Sequence, residues 1–132
     1  MSEALFEHLA VSDPLLLIAI LNDEGRAPSD LTFAAEIAGG AIADSALVRP
    51  PLIKLLDHAS AVVREGAIYG LAHHLDSLTK VRIELVAHTD PSFAVRTAAH
   101  ECLEYDAETL VAKLVADNMP AATTKRLLKP KP

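Results

Sequence analysis

Histidine and carboxylate side chains are the groups of this chain that could bind a metal ion. His73 and His74 are adjacent, and His100 is followed directly by Glu101. Imidazole and carboxylate groups together are typical ligands of zinc and iron. Neighbouring residues on a helix point about 100° apart, however, so neither pair can chelate one ion in the way that residues four apart can. A small metalloprotein or an enzyme that uses these residues is therefore the alternative hypothesis, and we expect no metal.

Cys102 is the only cysteine of the chain, and the helical pattern places it on an inward face. A buried free cysteine behaves as a small apolar residue. No histidine–acid pair is placed to activate it, and the chain contains neither a P-loop nor a Gly-x-Ser-x-Gly motif. The sequence thus predicts neither a catalytic residue nor a cofactor. A single cysteine and the absence of a signal peptide indicate a cytoplasmic protein.

Short helices must position these residues, because proline, glycine and acidic residues interrupt the sequence at intervals of roughly 12–16 residues. Asp13-Pro14 and Asp76-Ser77 are typical helix starts, and we expect Ser29 and Arg49-Pro50-Pro51 to open two further helices. Gly39-Gly40 weaken the end of one helix, which either frays there or lies against another backbone. The predicted helices cover about 15–21, 30–42, 49–56, 61–75, 77–88, 93–105 and 107–117.

The apolar pattern also predicts which side chains these helices bury. The residues expected to point inward are Leu15 to Leu21, Leu31, Ala34, Ala35, Ala38, Leu52, Ile53, Leu55, Leu56, Val63, Ala67, Gly70, Leu71, His74, Leu78, Val81, Leu85, Val86, Val95, Ala99, Cys102, Leu103, Leu110, Val111, Leu114 and Val115.

Two stretches of the chain look like copies of one another. Residues 62–71 reappear as residues 94–103, with Arg64 aligned to Arg96 and every other residue shifted by the same 32 positions. A fixed period of this size is typical of repeat proteins, in which each unit buries its apolar face against its neighbours. The repeated unit is a helix, a short turn and a second helix.

Leu55-Leu56-Asp57, a short turn and then Val63-Arg64 together resemble the HEAT-repeat family. The resemblance is closest to the short variety that is also found in phycobilin lyases and in many small bacterial proteins. It implies an all-α, right-handed solenoid of about three helical hairpins plus terminal helices. We expect one domain over residues 1–128, with units at about 13–43, 48–75, 77–105 and 107–128 and a disordered tail at 129–132.

The resemblance also implies roles for charged residues. In this family the arginine of the second helix usually pairs with an acid in the preceding turn, so Arg64 would meet Asp57 and Arg96 would meet Asp90 as structural ion pairs. In one HEAT family, the deoxyhypusine hydroxylases, histidine–glutamate pairs on successive repeats bind iron. The pair occurs once here, at His100-Glu101, and no ligand stands at the equivalent position one repeat earlier.

Outward side chains of the second helices would form a concave, mildly acidic surface with two tyrosines. This composition suits protein recognition better than catalysis, although an ordinary solvated face has the same composition. The residues expected to bind a partner are Glu65, Tyr69, His73, Thr97, Glu101 and Glu104.

Charge excludes some classes of partner. The net charge is −6, and the basic tail from Thr123 to Pro132 carries four of the 12 Lys and Arg residues, which leaves 8 − 18 = −10 on the rest. An acidic body repels phosphate, so we expect no nucleic-acid partner. The longest apolar run, Leu15 to Leu21, is too short to span a bilayer. We expect a small adaptor, scaffold or inhibitory binder that recognises another protein. Association with a second copy of itself is a further alternative.

Overall fold

The computed structural model describes residues 3–118, which form seven α-helices and contain no strand. The predicted all-α class is therefore confirmed for this part of the chain. The end of the predicted unit at 107–128, the tail at 129–132 and the basic residues from Thr123 onwards lie outside the described residues. The helices are α1 (Glu3–Ser12), α2 (Pro14–Leu21), α3 (Pro28–Ala41), α4 (Ser45–Leu55), α5 (Ala61–Leu71), α6 (Ser77–Thr89) and α7 (Phe93–Asn118).

Two of the predicted helix starts are confirmed. The side chain of Asp13 caps α2 by accepting a hydrogen bond from the Leu16 amide, and the side chain of Asp76 caps α6 by accepting one from the Thr79 amide. Each carboxylate satisfies an amide of the first turn that has no partner within the helix, which stabilises the helix end.

The start of α4 differs from the prediction. The helix begins at Ser45, because Asp44 accepts hydrogen bonds from the amides of Ala46 and Leu47 at 3.1 and 3.3 Å. Pro50 and Pro51 lie inside the helix and do not open it. An aspartate cap is the stronger start signal, and each internal proline then lacks the amide that would continue the hydrogen-bond ladder.

Two other helix boundaries differ from the prediction, and one helix was not placed by it. Helix α3 begins at Pro28 after Ala27, so Ser29 is its second residue and not its cap. Helix α5 ends at Leu71, which leaves His73 and His74 in the turn that follows. Helix α1, which was not predicted, precedes the first expected unit and buries Phe6, Leu9 and Ala10.

Helix α7 is continuous over 26 residues, where two helices were expected. The segment contains neither proline nor glycine, so no residue in it interrupts the helical hydrogen bonds. The expected break between residues 105 and 107 is therefore wrong, because the first half of the unit predicted at 107–128 is the end of α7. The second half of that unit lies outside the described residues.

The odd-numbered helices pack side by side in chain order, α1 on α3, α3 on α5 and α5 on α7. Each of α2, α4 and α6 packs against the odd-numbered helix that follows it. Helices α3 and α5 are in close backbone contact, because a methyl group on Gly39 would overlap the backbone of Gly70. Of the two alternatives for Gly39-Gly40, the helix thus lies against another backbone and does not fray.

The buried faces of α3 and α5 are confirmed. Leu31, Ala34, Ala35 and Ala38 of α3 are buried, and so are all five residues predicted for the line along α5 and the turn after it. On α7, Val95, Ala99 and Cys102 are buried and Leu103 is half-buried.

The predicted inward residues of α6 are wrong except for Val86. Leu78, Val81 and Leu85 are 82%, 65% and 52% exposed, whereas Thr79, Ile83, Val86 and Ala87 are buried. Leu110, Val111 and Leu114 of α7 are also more than half exposed, and so is Leu15 of α2. Helices α6 and α7 form the last pair among the described residues, so no further helical pair covers them there. No helix within residues 3–118 is both long and apolar enough to cross a membrane.

Candidate protein-binding face

Four successive odd-numbered helices contribute carboxylates to one face. Tyr69 and Glu65 lie one turn apart on α5, and the Tyr69 hydroxyl donates a hydrogen bond of 3.0 Å to Glu65 Oε1. Glu36 of α3 and Glu101 of α7 are close enough to act electrostatically on Tyr69. Glu3 of α1 acts on Glu36 in the same way. We call Glu3, Glu36, Glu65 and Glu101 the acidic row.

The acidic row raises the pKa of two of its neighbours. Burial is the largest cause of the raised pKa of Glu36, and the negative charges of Glu3 and Glu65 raise it further. The pKa of Tyr69 is raised by burial, then by its hydrogen bond to Glu65 and by the surrounding carboxylates. Within residues 3–118, no carboxylate of the row takes part in an ion pair. Among the described residues, the face therefore holds negative charge without a counter-ion.

An apolar depression of about 180 Å³ adjoins the row between α5 and α7. Tyr69 and Tyr105 form its sides, and Glu101 brings one carboxylate of the row to it. A shallow apolar hollow of this size could accept a single side chain of a partner protein, but it is too small for a large ligand. The remaining residues around it are Ala72, Ala98 and Cys102.

The structure brings together three of the six residues that were predicted to bind a partner, Glu65, Tyr69 and Glu101. His73 is exposed, and its Nε2 lies 3.8 Å from the point that a Cβ on Gly40 would occupy. Thr97 is half-buried and Glu104 is exposed on α7.

Two residues of the row, Glu3 and Glu36, were missed. Glu36 belongs to the helical pair that lacks the Val-Arg motif, so the 32-residue shift could not align it with Glu65. In the sequence, the one indication that Glu36 belongs to this face was its position away from the buried side of α3. Glu3 lies on the helix that was not predicted.

The predicted ion pairs are wrong in their partners. Arg64 pairs with Asp90, through Nε to Oδ2 at 2.9 Å and Nη2 to Oδ1 at 3.1 Å, whereas Asp57 pairs with Arg82 of α6. Arg96 donates to the backbone carbonyl of Asp90 at 2.6 Å and not to its carboxylate. The ion pairs thus join neighbouring helical units: Arg64 reaches forward to the turn after α6, and Arg82 reaches back to the turn before α5.

The two arginines of the repeat nevertheless have equivalent backbone contacts. Arg64 Nη1 donates to the carbonyl of His58 at 2.9 Å, and Arg96 Nη1 donates to the carbonyl of Asp90. Each acceptor lies six residues before its arginine, near the end of the preceding helix. Carbonyls at a helix end lack partners within the helix, so each arginine completes the hydrogen bonding of the turn before it.

The Arg64–Asp90 pair is nearly buried, with side chains 11% and 6% exposed. Burial alone would raise the pKa of Asp90. The hydrogen bonds from Arg64 and from the Ser92 amide, together with the charges of Arg64 and Arg96, outweigh it and lower that pKa. The carboxylate is consequently ionised at neutral pH and holds Arg64 in place.

The histidines that were considered as metal ligands make other contacts. His74 is buried; its Nε2 donates to the Gly39 carbonyl, and its Nδ1 lies 2.7 Å from the Ser45 hydroxyl. Both ring nitrogens are thereby engaged, so His74 could not bind a metal without losing these hydrogen bonds. His100 packs edge-on against His88, with 5.6 Å between ring centroids. No three metal-binding side chains cluster within the part of the chain that the structure describes.

Cys102 is buried as predicted. Burial, with a smaller contribution from Asp106, raises the pKa of its thiol to about 11. The thiolate is the nucleophilic form, and at neutral pH this thiol is protonated. The residue packs as a small apolar side chain beside the depression.

A second cavity, of about 410 Å³, lies beside the turns that follow α2 and α4. Its charged residues are already paired, Lys54 with Glu24 at 3.2 Å and Asp57 with Arg82. The acidic row has no such pairs, which makes it the better candidate for recognition. A comparison of the chain with protein-family models, curated proteins and solved structures found no match.

Proposed function

We propose that this protein is a HEAT-like repeat protein that binds another protein through the acidic row and the depression beside it. The solenoid part of the proposal is supported by the stacking of α1, α3, α5 and α7 in chain order, each later helix with an even-numbered helix packed against it. The equivalent contacts of Arg64 and Arg96 support a repeat of 32 residues.

The unpaired charge of the acidic row carries the functional part of the proposal. Like charges that are brought together without counter-ions destabilise a fold, and a protein that keeps them gives up stability for another purpose. A cationic partner removes this repulsion and gains charge-assisted hydrogen bonds to the same carboxylates. Glu36 and Glu65, which are half-buried, would contribute most because water screens them least.

The depression specifies the partner further. Tyrosine faces attract cations and pack well against the methylene groups of long side chains. We therefore expect the partner segment to present a lysine or arginine to the row and an apolar or aliphatic side chain to the space between Tyr69 and Tyr105. Such a partner would associate rapidly and lose affinity as salt rises.

A charge-neutral variant of the row tests this function. In Glu36→Gln/Glu65→Gln/Glu101→Gln the side chains keep their shape and lose their charge. The matched control is Glu7→Gln/Glu84→Gln/Glu108→Gln, which removes the same charge from exposed positions outside the row. Tagged wild type, variant and control are used to capture partners from native lysate at two salt concentrations, and the partners are quantified by mass spectrometry.

We expect a protein that is captured by wild type and control, released by high salt, and reduced at least about tenfold with the row variant. Circular dichroism spectra of all three proteins should coincide. A partner that binds the row variant as well as it binds wild type would refute the assignment of this face.

A further inference from the structure

Helix α7 continues well past the helices that flank it. Lys80 Nζ lies 2.9 Å from Asp106 Oδ2, so the first turn of α6 is level with Asp106. The repeat aligns the last residue of α5, Leu71, with Leu103. Residues 107–118 therefore extend beyond both neighbours, over about 18 Å at the helical rise of about 1.5 Å per residue.

This extension carries an apolar stripe. Leu103, Ala107, Leu110 and Val111 follow one another at helical spacing, and Leu110 and Val111 are 52% and 58% exposed. The exposed Leu78, Val81 and Leu85 lie on one face of α6, which runs beside the first half of α7. A monomer in water rarely exposes so many large apolar side chains on neighbouring helices, so this end of the molecule is suited to an interface.

The charges beside the stripe indicate which partner fits it. Acidic residues dominate the first half of the segment, at Glu104, Asp106 and Glu108, whereas Lys113 is the one cation between residues 104 and 118. Two copies side by side in parallel would place acid against acid. In an antiparallel pair the second half of each copy meets the first half of the other, which brings Lys113 to the acidic residues.

Asp106 and Lys113 are seven residues apart and lie on the same flank of the stripe. In an antiparallel helix pair the same flank of each helix meets, so Lys113 of each copy would face Asp106 of the other, twice because of the two-fold symmetry. Asp106 would then be shared between that Lys113 and Lys80 of its own chain. We propose that this protein forms an antiparallel homodimer through the apolar stripe of α7 and the adjoining apolar face of α6. The interface is independent of the acidic row and is small, so we expect a micromolar dissociation constant.

Sedimentation equilibrium of the full chain over a range of concentrations tests the dimer. Wild type should shift from monomer to dimer as its concentration rises. Leu110→Asp/Val111→Asp should raise the dissociation constant at least about tenfold. Val11→Asp is the matched control, because Val11 is an apolar side chain of α1 that is 85% exposed. This control should dimerise like wild type.

Charge reversal tests the antiparallel arrangement. Asp106→Lys alone places Lys against Lys113, and Lys113→Asp alone places Asp against Asp106, so both variants should be monomeric. An equimolar mixture should form a heterodimer, because both contacts are then between opposite charges. Circular dichroism checks that Asp106→Lys, which loses the surface contact with Lys80, remains folded.

Three results would overturn the proposal. The first is a wild-type chain that stays monomeric at all concentrations. The second is a mixture of the two charge variants that associates no better than either alone. The third is a chain truncated after Asn118 that dimerises while the full chain does not, which would identify residues 119–132 as the occupant of the stripe.

Discussion

The ionised side chain of Glu36 destabilises the folded protein. Its raised pKa comes from burial first and then from Glu3 and Glu65, so its ionised form is less stable in the folded protein than in the unfolded chain. A carboxyl group of this kind favours folding when it is protonated, and this contribution is lost as the pH rises through the folded-state pKa.

Glu36→Gln should therefore stabilise the protein at neutral pH. The gain should stay below about 1 kcal/mol, because solvent screens this half-exposed group. Urea unfolding should show the gain at pH 7 and its disappearance by about pH 4, where the wild-type carboxyl is itself protonated. The exposed Glu7→Gln should change stability little. A variant that gains stability while it loses partner binding is typical of a functional site; a destabilised Glu36→Gln would contradict this account.

Asp90 has the opposite balance, because its bonds with Arg64 and the Ser92 amide outweigh burial and lower its pKa. Its contribution to stability is therefore present above the unfolded-state pKa and is lost as the pH falls below about 4. Arg64→Ala should cost about 3–5 kcal/mol, since it leaves a nearly buried carboxylate without its partner.

Urea unfolding at pH 7 measures this loss, and the loss should shrink in acid as Asp90 becomes protonated. Lys54→Ala is the control, because the Lys54–Glu24 pair is largely exposed and should be worth at most about 1 kcal/mol. Equal effects of the two substitutions would show that the Arg64–Asp90 contact contributes no more than a surface pair.

At the scale of the elements, the backbones of α3 and α5 approach each other closely. A Cβ on Gly39 would overlap the Gly70 backbone, and one on Gly70 would overlap the Ala35 carbonyl. The neighbouring Gly40 has room, since the nearest atom to its Cβ would be His73 Nε2 at 3.8 Å. Two adjacent glycines of one helix thus have different roles.

Gly39→Ala should destabilise the protein by about 1–3 kcal/mol or more, because α3 and α5 must move apart. Gly40→Ala should be neutral or stabilising by up to about 1 kcal/mol, because alanine favours the helix and meets no obstacle. Thermal unfolding of the two variants measures the difference. A similar loss at both positions would mean that helix propensity at this end, and not backbone proximity, governs the requirement for glycine.

Helix boundaries illustrate what local pattern can predict. Asp13-Pro14 and Asp76-Ser77 were recognised because each carboxylate and the amide that donates to it lie within four residues. The start of α4 was assigned to prolines instead of to Asp44, and the continuous α7 was divided although no residue in it breaks a helix. In both cases the residues that determine the boundary lie close together in the sequence, so no tertiary contact is needed to explain it.

At the scale of the whole molecule, the order of packing determines which surfaces are available. The odd-numbered helices bring Glu3, Glu36, Glu65 and Glu101 to one face, although these residues are spread over nearly the whole described chain. The last pair, α6 and α7, leaves apolar side chains exposed. The acidic row and the apolar stripe therefore lie on different parts of the molecule, and their variants should act separately.

The glutamine variant of the row should leave the sedimentation behaviour unchanged. Leu110→Asp/Val111→Asp should leave partner capture per protomer unchanged. A variant that altered both properties would indicate that the two surfaces are coupled.

Hydrophobic periodicity and the 32-residue copy were sufficient to identify an all-α chain and the buried lines of α3 and α5, because neighbouring residues of a helix dictate both. The partner of each arginine was not predictable, since Asp90 lies 26 residues from Arg64 along the chain and is brought to it by the packing of α5 and α7. Glu36 joined the acidic row for the same reason. The exposure of Leu78 and Leu110 depended on which helical pair comes last within residues 3–118, because an apolar side chain is buried only where another element covers it.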